Sequence, residues 1–377
     1  MPSSQAATVL AGLATVKPEF HATQSLAAQF MARVLNATLQ PPALDKAVEM
    51  VEKLYASSGI HTRYSVLSDW LAPTPEEFQF FPPNWSLEPF PSTAERMKVY
   101  EKTSLPLAEQ AGRQALSDAG VKAEEVTHLI IGTCTGFFAP GLDILLSQRL
   151  GIRPTVSRLI LGFMGCYAGF NGLRTADQII RGDPQAVVLH VCVELCTLHF
   201  QKKATPELLV ANCLFADGCS AAVYTSAQKS PQAKAKVQGW YSFVDGQSLD
   251  QMTWHIGDTG FEMRLSTNVP RTLHSQAVPF LNALTDRAGI SRNEVAHWAI
   301  HPGGRRILEA LCSALELEHR QVEAAYRVLH DYGNMSSATL YYVLQAELQH
   351  GLRGPLVAMG FGPGLTIEGA VLTSADV

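Results

Sequence analysis

The chain has few charged residues and no cluster of cations. Only 17% of its 377 residues are Asp, Glu, Lys or Arg, and its formal net charge is -5. No run of Lys or Arg forms the basic stripe that neutralises phosphates along a nucleic acid, so we expect no nucleic-acid partner. Hydrophobic residues make up 47%. This balance favours a large buried sheet and a buried subunit interface, and we expect a homodimer.

The sequence also lacks a run of about 18 uncharged apolar residues, which excludes a membrane-spanning helix. Residues 7–16 match the length of a signal-peptide core, but no Lys or Arg precedes them and Lys17 follows directly. We interpret them as a buried strand. The seven cysteines are odd in number and include no C-x-x-C pair, which indicates reduced thiols and a cytoplasmic location.

An internal repeat divides the chain. Residues 116–132 align with residues 285–301, and the identities far exceed the roughly one match expected from ordinary residue usage. Each copy predicts the end of a helix at a glycine, a short loop and an apolar strand. The identical pairs are 119/288, 120/289, 125/294, 126/295, 128/297 and 131/300.

The repeat extends beyond these segments. The residues around Cys166 align with those around Asn334, so the two should occupy equivalent helix starts. Residues 219–225 and 366–373 predict matching terminal strands, one in each copy. The sequence therefore predicts an α/β fold built from two βαβ-type halves.

The boundary between the halves is predicted near residue 235. Residues 1–235 would carry the cysteine of the site, and residues 236–377 would carry its histidine and asparagine. Residues 228–236 are rich in Lys, Gln, Ala and Ser and form the predicted linker. The proline-rich residues 71–85 belong to neither copy and are interpreted as an elaboration of the first half.

Cys166 is the candidate nucleophile. It lies between a predicted strand with a glycine turn and a predicted helix. The field of a helix start can lower the pKa of a cysteine from about 8.5 to between about 3.5 and 7.5. The alternative is a buried, inert cysteine that fills a gap in the core. The Gly-Cys step at a helix start, matched in the repeat, favours the nucleophile.

His301 and Asn334 are its candidate partners. His301 ends a predicted strand, so its ring should reach the carboxyl edge of the sheet, where ligand sites gather. A hydrogen-bonded structural residue is one alternative. A metal pair with His297 is another, but no third ligand is evident and we expect no metal. Asn334 is either an ordinary helix N-cap or a hydrogen-bond donor to a carbonyl oxygen in the same cleft.

The glycine-rich residues 360–364 resemble a phosphate-binding loop only in part. Their G-x-G-x-G spacing differs from the dinucleotide motif, and they precede a predicted strand rather than a helix. We therefore reject nucleotide binding there. We expect the glycines instead to allow the backbone at Gly362 and Pro363 to pass close to a substrate.

These motifs resemble the chalcone synthase family, the type III polyketide synthases of the thiolase superfamily. The resemblance covers nearly the whole chain and rests on GFMGCYAGF, HPGG, YGNMSSAT and GFGPGLTIEG, in that order. It implies a thiolase-like αβαβα layered fold from two duplicated halves with mixed five-stranded sheets, a homodimer, and no cofactor beyond the malonyl-CoA and acyl-CoA substrates. The chain looks more like bacterial alkylresorcinol and alkylpyrone synthases than plant chalcone synthases.

Carried over residue by residue, the resemblance makes Cys166 the acyl acceptor. His301 would pair with it, and with Asn334 would stabilise the enolate of decarboxylated malonyl-CoA. Repeated decarboxylative condensation and cyclisation would give a resorcinol, a pyrone or a related product. The alternatives are a ketoacyl synthase that uses acyl carrier protein, a thiolase, a cysteine hydrolase and an inactive scaffold. The HPGG motif favours free coenzyme A, because the ketoacyl synthase motif usually reads HQAN.

The resemblance also implies contacts with the substrates. Phe215 matches one phenylalanine of the family, and Met263 stands where the family has a second. His199 and Cys134 replace family threonines, so the pocket should differ from that of chalcone-forming members. The coenzyme A phosphates need cations. The implied substrate-binding residues are Phe215, Met263, His199, Cys134, Gly362 and Pro363. The implied coenzyme A-binding residues are Lys53, Arg305 and Arg306. Alternatively, the two arginines are solvated charges on a helix.

Overall fold

The computed structural model describes residues 6–230 and 232–375, and in these ranges the chain forms thirteen strands and ten α-helices. The strands are β1 (Thr8–Val16), β2 (Phe20–Thr23), β3 (Thr62–Ser65), β4 (His128–Thr133), β5 (Ser157–Gly162), β6 (Val187–Leu195), β7 (Asp217–Ser226), β8 (Ala235–Val244), β9 (Met252–Gly257), β10 (Gly260–Leu265), β11 (His297–Ile300), β12 (Leu356–Gly362) and β13 (Thr366–Thr373). The helices are α1 (Gln24–Thr38), α2 (Ala43–Ser57), α3 (Thr93–Ala119), α4 (Leu142–Leu150), α5 (Ala168–Gly182), α6 (Pro206–Leu214), α7 (Val269–Ala288), α8 (Arg305–Leu315), α9 (Glu323–Tyr332) and α10 (Thr339–Leu348).

The first apolar segment forms the buried strand β1, as the sequence predicted. Strand β1 connects two groups of strands into one sheet, in the order β11-β12-β13-β8-β1-β7-β6-β4-β5. It pairs with β7 along its length but with β8 only through Val9–Lys236 and Leu10–Ala235. Each half of the chain therefore contributes its own group of strands. Within the described ranges, no helix is long and apolar enough to cross a membrane.

The helices cover the two groups of strands in layers. Helices α3 and α4 pack on the outer face of the first group, and α7 and α8 cover the second. Helices α5 and α10 lie between the groups. The inner position of α5 follows from its apolar residues, since Phe170, Leu173, Ala176 and Ile180 recur at helical spacing and are all buried. This arrangement confirms the predicted αβαβα fold.

The second group has four strands in the described residues, where the sequence analysis expected five. The segment that corresponds to β5, His319–Val322, forms a 3₁₀ turn that lies against β11. Its sequence explains the difference. Only Leu317 and Val322 are apolar between residues 316 and 322, too few for a buried strand.

The repeat itself is confirmed in three dimensions. Helices α3 and α7 end at Gly120 and Gly289, and each is followed by a 3₁₀ turn and then by β4 or β11. The two predicted terminal strands are β7 and β13. Residues 227–234 connect β7 to β8, and residue 231 of the predicted linker lies outside the described residues.

Residues 71–85 are mostly irregular but well packed. The buried carboxylate of Asp69 accepts hydrogen bonds from the backbone N–H groups of Gln79, Phe80 and Phe81. Nearby aromatic rings, including Phe78 and Phe81, pack around Phe30. This segment therefore closes the core beside α1.

Candidate active site

Cys166 lies where β5 gives way to α5. A 3₁₀ turn, Gly165–Tyr167, leads directly into the helix. Gly165 has a φ of 76°, a left-handed conformation that glycine adopts without strain. The cysteine side chain is buried, with 6% of its surface exposed. The predicted position at a helix start is therefore confirmed.

The protonation state of Cys166 differs from the sequence-based expectation. Burial raises the pKa of its thiol to about 12, although a hydrogen bond with Ser336 acts in the opposite direction. The expectation of a lowered pKa is wrong for the free protein, because loss of hydration outweighs the hydrogen bonds that lower the pKa. The thiol is neutral before substrate binds, so attack on a thioester requires a base.

Asn334 occupies the matching position in the second half. Gly333 has a φ of 71°, and the 3₁₀ turn Ser336–Ala338 leads into α10. Asn334 Oδ1 accepts the Ser336 N–H at 2.9 Å, and Nδ2 donates to the Gly303 carbonyl at 3.2 Å. Cys166 Sγ lies 4.0 Å from Asn334 Oδ1. The amide thus caps the turn and also faces the thiol.

His301 directly follows β11. Its backbone N–H donates to the Met359 carbonyl at 2.8 Å, and its ring is buried. Burial lowers the pKa of the ring to about 3, so the imidazole is neutral. Neither ring nitrogen has a hydrogen-bond partner within residues 6–230 and 232–375. An unpaired buried polar atom costs about 1–3 kcal/mol, which favours a functional role for the ring.

Gly303 of the HPGG loop lies next to both His301 and Asn334. Its carbonyl accepts the Asn334 amide, and an added Cβ would be 3.7 Å from His301 Cδ2. His297 lies elsewhere and contacts Glu347, with 3.5 Å between Nδ1 and Oε2. Across the described part of the chain, no group of three or more His, Cys, Asp or Glu residues could hold a metal ion.

A cavity, which we call the reaction chamber, opens beside Cys166. Four of the predicted substrate contacts line it: Cys134, Phe215, Met263 and Pro363. Gly362 contacts Tyr167 instead, since a Cβ at this glycine would lie 2.6 Å from the tyrosine ring. The complete wall is formed by Cys134, Thr135, Gly165, Cys166, Cys196, Phe215, Met252, Trp254, Met263, Ser336 and Pro363.

A second cavity adjoins the reaction chamber and contains His199 in its wall. The cavities share Cys196, Phe215, Trp254 and Met263. His199 Nε2 lies 2.7 Å from the Thr135 carbonyl, and Nδ1 accepts the Phe261 N–H at 2.9 Å. Its ring also stacks on Phe261.

The contacts of His199 fix its chemistry. Burial lowers the pKa of the ring to about 3, so the imidazole is neutral. Both nitrogens are already engaged in hydrogen bonds. The residue therefore shapes the wall and is unsuited to acid–base catalysis.

Sequence reasoning missed Glu194, a fully buried carboxylate beside the reaction chamber. It accepts hydrogen bonds from Cys134 N at 3.0 Å, from Thr135 Oγ1 at 2.9 Å and from the Ser337 hydroxyl. Burial raises its pKa to about 7. The signal that could have found it was a glutamate in the segment VVLHVCVEL, which is apolar apart from this residue and His190.

Trp254 was also missed. Its Nε1 donates to the Cys134 carbonyl at 2.7 Å, and its ring forms part of the wall between the two cavities. A tryptophan on a short strand carries no distinctive sequence signal.

A surface cleft adjoins the HPGG loop. Arg305 and Arg306, at the start of α8, line it together with Gly303 and Leu214. Lys53 does not line this cleft. Its side chain is 74% exposed and pairs with Glu49 on α2. The structure thus brings the two predicted arginines together and leaves the lysine apart.

Comparisons with known proteins give one family. Its models, described as the N-terminal and C-terminal domains of the chalcone and stilbene synthases, match residues 2–228 and 241–376. The alpha-pyrone synthesis polyketide synthase-like Pks18 of Mycobacterium tuberculosis is 31% identical over 368 residues, or 96% of this chain and 90% of that protein.

Solved structures agree. PKS-I from the brown alga Ectocarpus siliculosus superposes with a TM-score of 0.90 at 28% identity, over 99% of this chain and 100% of that one. CsyB, solved in complex with CoA-SH, gives 0.84 at 25% identity, over 97% and 100%. These matches give no support to the ketoacyl synthase alternative. The chain therefore belongs to the chalcone and stilbene synthase family, the type III polyketide synthases, and is an acyltransferase.

Proposed function

We propose that this polyketide synthase loads an acyl group from coenzyme A onto Cys166 and extends it with decarboxylated malonyl units. One observation carries the proposal: Cys166 Sγ lies 4.0 Å from Asn334 Oδ1 beside a buried chamber. The unpaired ring of His301 supports it, because a free imidazole is available as a base.

In the loading step, the Cys166 sulfur attacks the starter thioester while the His301 imidazole takes the thiol proton. The thiol and the imidazole are both neutral at rest, so proton transfer accompanies attack. The carbon–sulfur bond to coenzyme A breaks, and the departing thiolate receives the proton. The product is an acyl-enzyme.

In the extension step, malonyl-CoA loses carbon dioxide and leaves an enolate. Hydrogen bonds from His301 and the Asn334 amide stabilise the enolate oxygen, and one such donor is worth about 3–4 kcal/mol. The enolate carbon then attacks the acyl carbonyl, which lengthens the chain by two carbons and releases the Cys166 thiolate. The thiolate takes up a proton from water, which restores the neutral thiol for the next loading step. Asn334 must turn its amide from Gly303 towards the substrate or share it.

The wall residues and the cleft suggest where the substrates lie. We assign Phe215 and Met263 to the boundary between the reaction chamber and the second cavity, where they would contact the growing chain. Arg305 and Arg306 would hold the coenzyme A phosphates in the cleft. The CoA complex of CsyB supports coenzyme A binding, and the name of Pks18 supports an α-pyrone product. We propose that no cofactor is needed.

A homodimer through β5 is also proposed. This strand is the edge of the sheet, and its Leu159 and Ile160 are 43% and 39% exposed. Phe137 and Met164, from neighbouring segments, are also exposed. An exposed apolar edge strand favours pairing with a second copy. We further propose a cytoplasmic location, in line with the free cysteines of the described chain, and a boundary between the halves near residue 235.

Product analysis tests the function. The protein is incubated with malonyl-CoA and a panel of short, aromatic and long-chain acyl-CoA starters, and products are identified by mass spectrometry. Polyketides two carbons longer per extension are expected. Free acid alone would indicate a hydrolase, and an absence of turnover with every starter would contradict the proposal.

A further inference from the structure

Behind the reaction chamber lies a buried polar cluster that the proposed reaction does not use. It consists of Tyr224 on β7, His190 and Cys192 on β6, and Tyr341 on α10, all with 0% exposure. We call it the tyrosine–histidine cluster. Tyr341 Oη lies 2.8 Å from His190 Nδ1 and 3.0 Å from Tyr224 Oη. His190 Nε2 lies 3.4 Å from Cys192 Sγ.

The cluster connects the two inner helices. Tyr341 Oη donates to the Gly169 carbonyl at 3.3 Å. Gly169 belongs to the first turn of α5, just after Cys166, and Tyr341 belongs to α10, which begins just after Asn334. One hydroxyl therefore links the helix that presents the thiol to the helix that presents the amide.

A single set of proton positions satisfies every contact. If Tyr341 donates to Gly169, its oxygen accepts from the Tyr224 hydroxyl and from His190 Nδ1–H. His190 Nε2 then accepts the Cys192 thiol proton. Burial lowers the pKa of His190 to about 3, so the ring is neutral and carries one proton. The cluster has fixed donors and acceptors and stays uncharged.

Two glycines make room for the His190 ring. A Cβ at Gly172 of α5 would lie 2.0 Å from His190 Cε1, and a Cβ at Gly132 of β4 would lie 3.3 Å from Nε2. Helix α5 therefore rests directly on the imidazole. Helix α10 also packs closely on α5, since a Cβ at Gly169 would lie 3.2 Å from Leu340 Cδ2.

The cluster also continues towards the reaction chamber. Cys192 lies beside the Ser337 hydroxyl, which donates to Glu194. Glu194 in turn accepts the backbone N–H of Cys134, a residue of the chamber wall. A displacement of Tyr341 or His190 would thus be transmitted to the chamber along two routes, through the helices and through these side chains.

We propose that Tyr341 and His190 are positioning residues that set the separation of Cys166 and Asn334 by holding α5 against α10. The inference rests on the proposed function, because it assigns these two residues a joint role in extension. A misplacement of about 1 Å can cost about 100-fold in rate, so the smaller shift caused by losing one hydroxyl should cost about tenfold.

The test compares Tyr341→Phe with Tyr342→Phe. Tyr342 is the next residue of α10 and is also buried, but its hydroxyl donates at 2.8 Å to the Val16 carbonyl on β1, away from α5. Each variant therefore loses one buried hydroxyl from the same helix. We measure kcat and KM for malonyl-CoA, and the ratio of acetyl-CoA released to polyketide formed.

Tyr341→Phe should lower kcat for extension about tenfold, leave KM within about twofold, and raise the ratio of acetyl-CoA to polyketide. The ratio rises because the enolate forms but meets a misplaced acyl-cysteine. Tyr342→Phe should match the wild type in kcat and in this ratio. A general loss of stability would move both variants alike.

Tyr224→Phe is the second variant. It removes the hydroxyl that bonds with Tyr341 and keeps the contacts of Tyr341 with His190 and Gly169. It should change kcat and the ratio in the same direction, by about threefold, and it carries the test if Tyr341→Phe does not fold. The inference is overturned if the folded cluster variants behave like Tyr342→Phe. A wild-type protein without condensing activity would instead defeat the proposed function.

Discussion

The starts of the two inner helices have a similar backbone and differ in chemistry. At each, a glycine with positive φ is followed directly by the residue that serves the site, and a 3₁₀ turn leads into the helix: Cys166 lies within its turn in the first half, and Asn334 lies two residues before its turn in the second. One position offers a nucleophile and the other an amide. The comparison teaches that a duplicated backbone supplied two converging positions, and that side-chain divergence made them complementary.

The surroundings of the two starts differ as well. Two hydrogen bonds, to Ser336 and Gly303, hold the Asn334 side chain, whereas the Cys166 thiol has a hydrogen bond with Ser336 and a longer contact of 4.0 Å with the amide oxygen. The amide is thus oriented in advance, and the thiol is held less tightly. Four experiments break or sharpen this comparison.

The largest effect is expected for Cys166→Ala. Chain extension should fall by at least about 1,000-fold, because no acyl acceptor remains, while some malonyl decarboxylation persists through His301 and Asn334. Mass spectrometry of products and release of labelled carbon dioxide measure the two activities. Cys312→Ala, a partly buried cysteine on α8, is the matched control and should retain extension. Full product formation by Cys166→Ala would falsify its assigned role.

Asn334→Asp separates the two roles of the amide. The carboxylate keeps an oxygen that can accept the Ser336 N–H, but it loses the donor. Decarboxylation should fall about 100- to 1,000-fold, and acyl loading should fall less. Asn334→Ala, which loses both groups, should show a similar drop. If the aspartate variant decarboxylates at the wild-type rate, the asparagine is only a cap.

Glu194 on β6 accepts the Ser337 hydroxyl, which joins the two halves of the chain. The variant Glu194→Gln tests this buried contact through the pH dependence of the free energy of unfolding. Burial raises the pKa of Glu194 from 4.5 to about 7, so between these values the folded chain keeps a proton that the unfolded chain has lost. This group therefore makes the free energy of unfolding fall as pH rises through that window, by up to about 3 kcal/mol.

Urea unfolding of both proteins from pH 5 to pH 8 measures this contribution. The glutamine variant cannot titrate, so its stability should fall less steeply with pH than that of the wild type. Buried histidines contribute equally to both curves, so the difference isolates Glu194. Parallel curves would mean that this carboxylate is not held in its neutral form.

The smallest effect concerns coenzyme A. Replacing Arg305 and Arg306 together with alanine should raise KM for malonyl-CoA about tenfold, equivalent to about 1.4 kcal/mol, with kcat unchanged. Lys53→Ala, at the position implied by family resemblance, should change KM by less than about twofold, because Lys53 does not line the cleft. If Lys53→Ala raised KM more than the double arginine variant, Lys53 would be the residue that holds the coenzyme A phosphates.

Local sequence patterns predicted much of the fold. Each copy carries a helix end, a glycine and an apolar strand within 17 residues. Aligning the copies therefore matched the segment of β4 to that of β11 and predicted that Cys166 and Asn334 occupy equivalent positions. These features depend on neighbours along the chain. The expected fifth strand does not form. Residues 316–322 occupy the place in the second copy that corresponds to β5, but they lack the apolar residues of a buried strand.

Properties that depend on the folded surroundings were beyond the sequence. The pKa of Cys166 follows from how completely the chain removes the thiol from water, which the helix start does not reveal. The contacts of His199 and Glu194 come from segments distant in sequence. His190 and Glu194 stand out in the sequence as polar residues of the apolar strand β6, but the sequence does not show which residues they contact.

Trapping of the acyl-enzyme tests the central claim most directly. The wild-type protein is mixed with an acyl-CoA starter in the absence of malonyl-CoA, digested at low pH and analysed by mass spectrometry. The account predicts one acyl group, carried on the peptide that contains Cys166 and absent from Cys166→Ala. An acyl group found on another cysteine, such as Cys134, or retained by Cys166→Ala would contradict it.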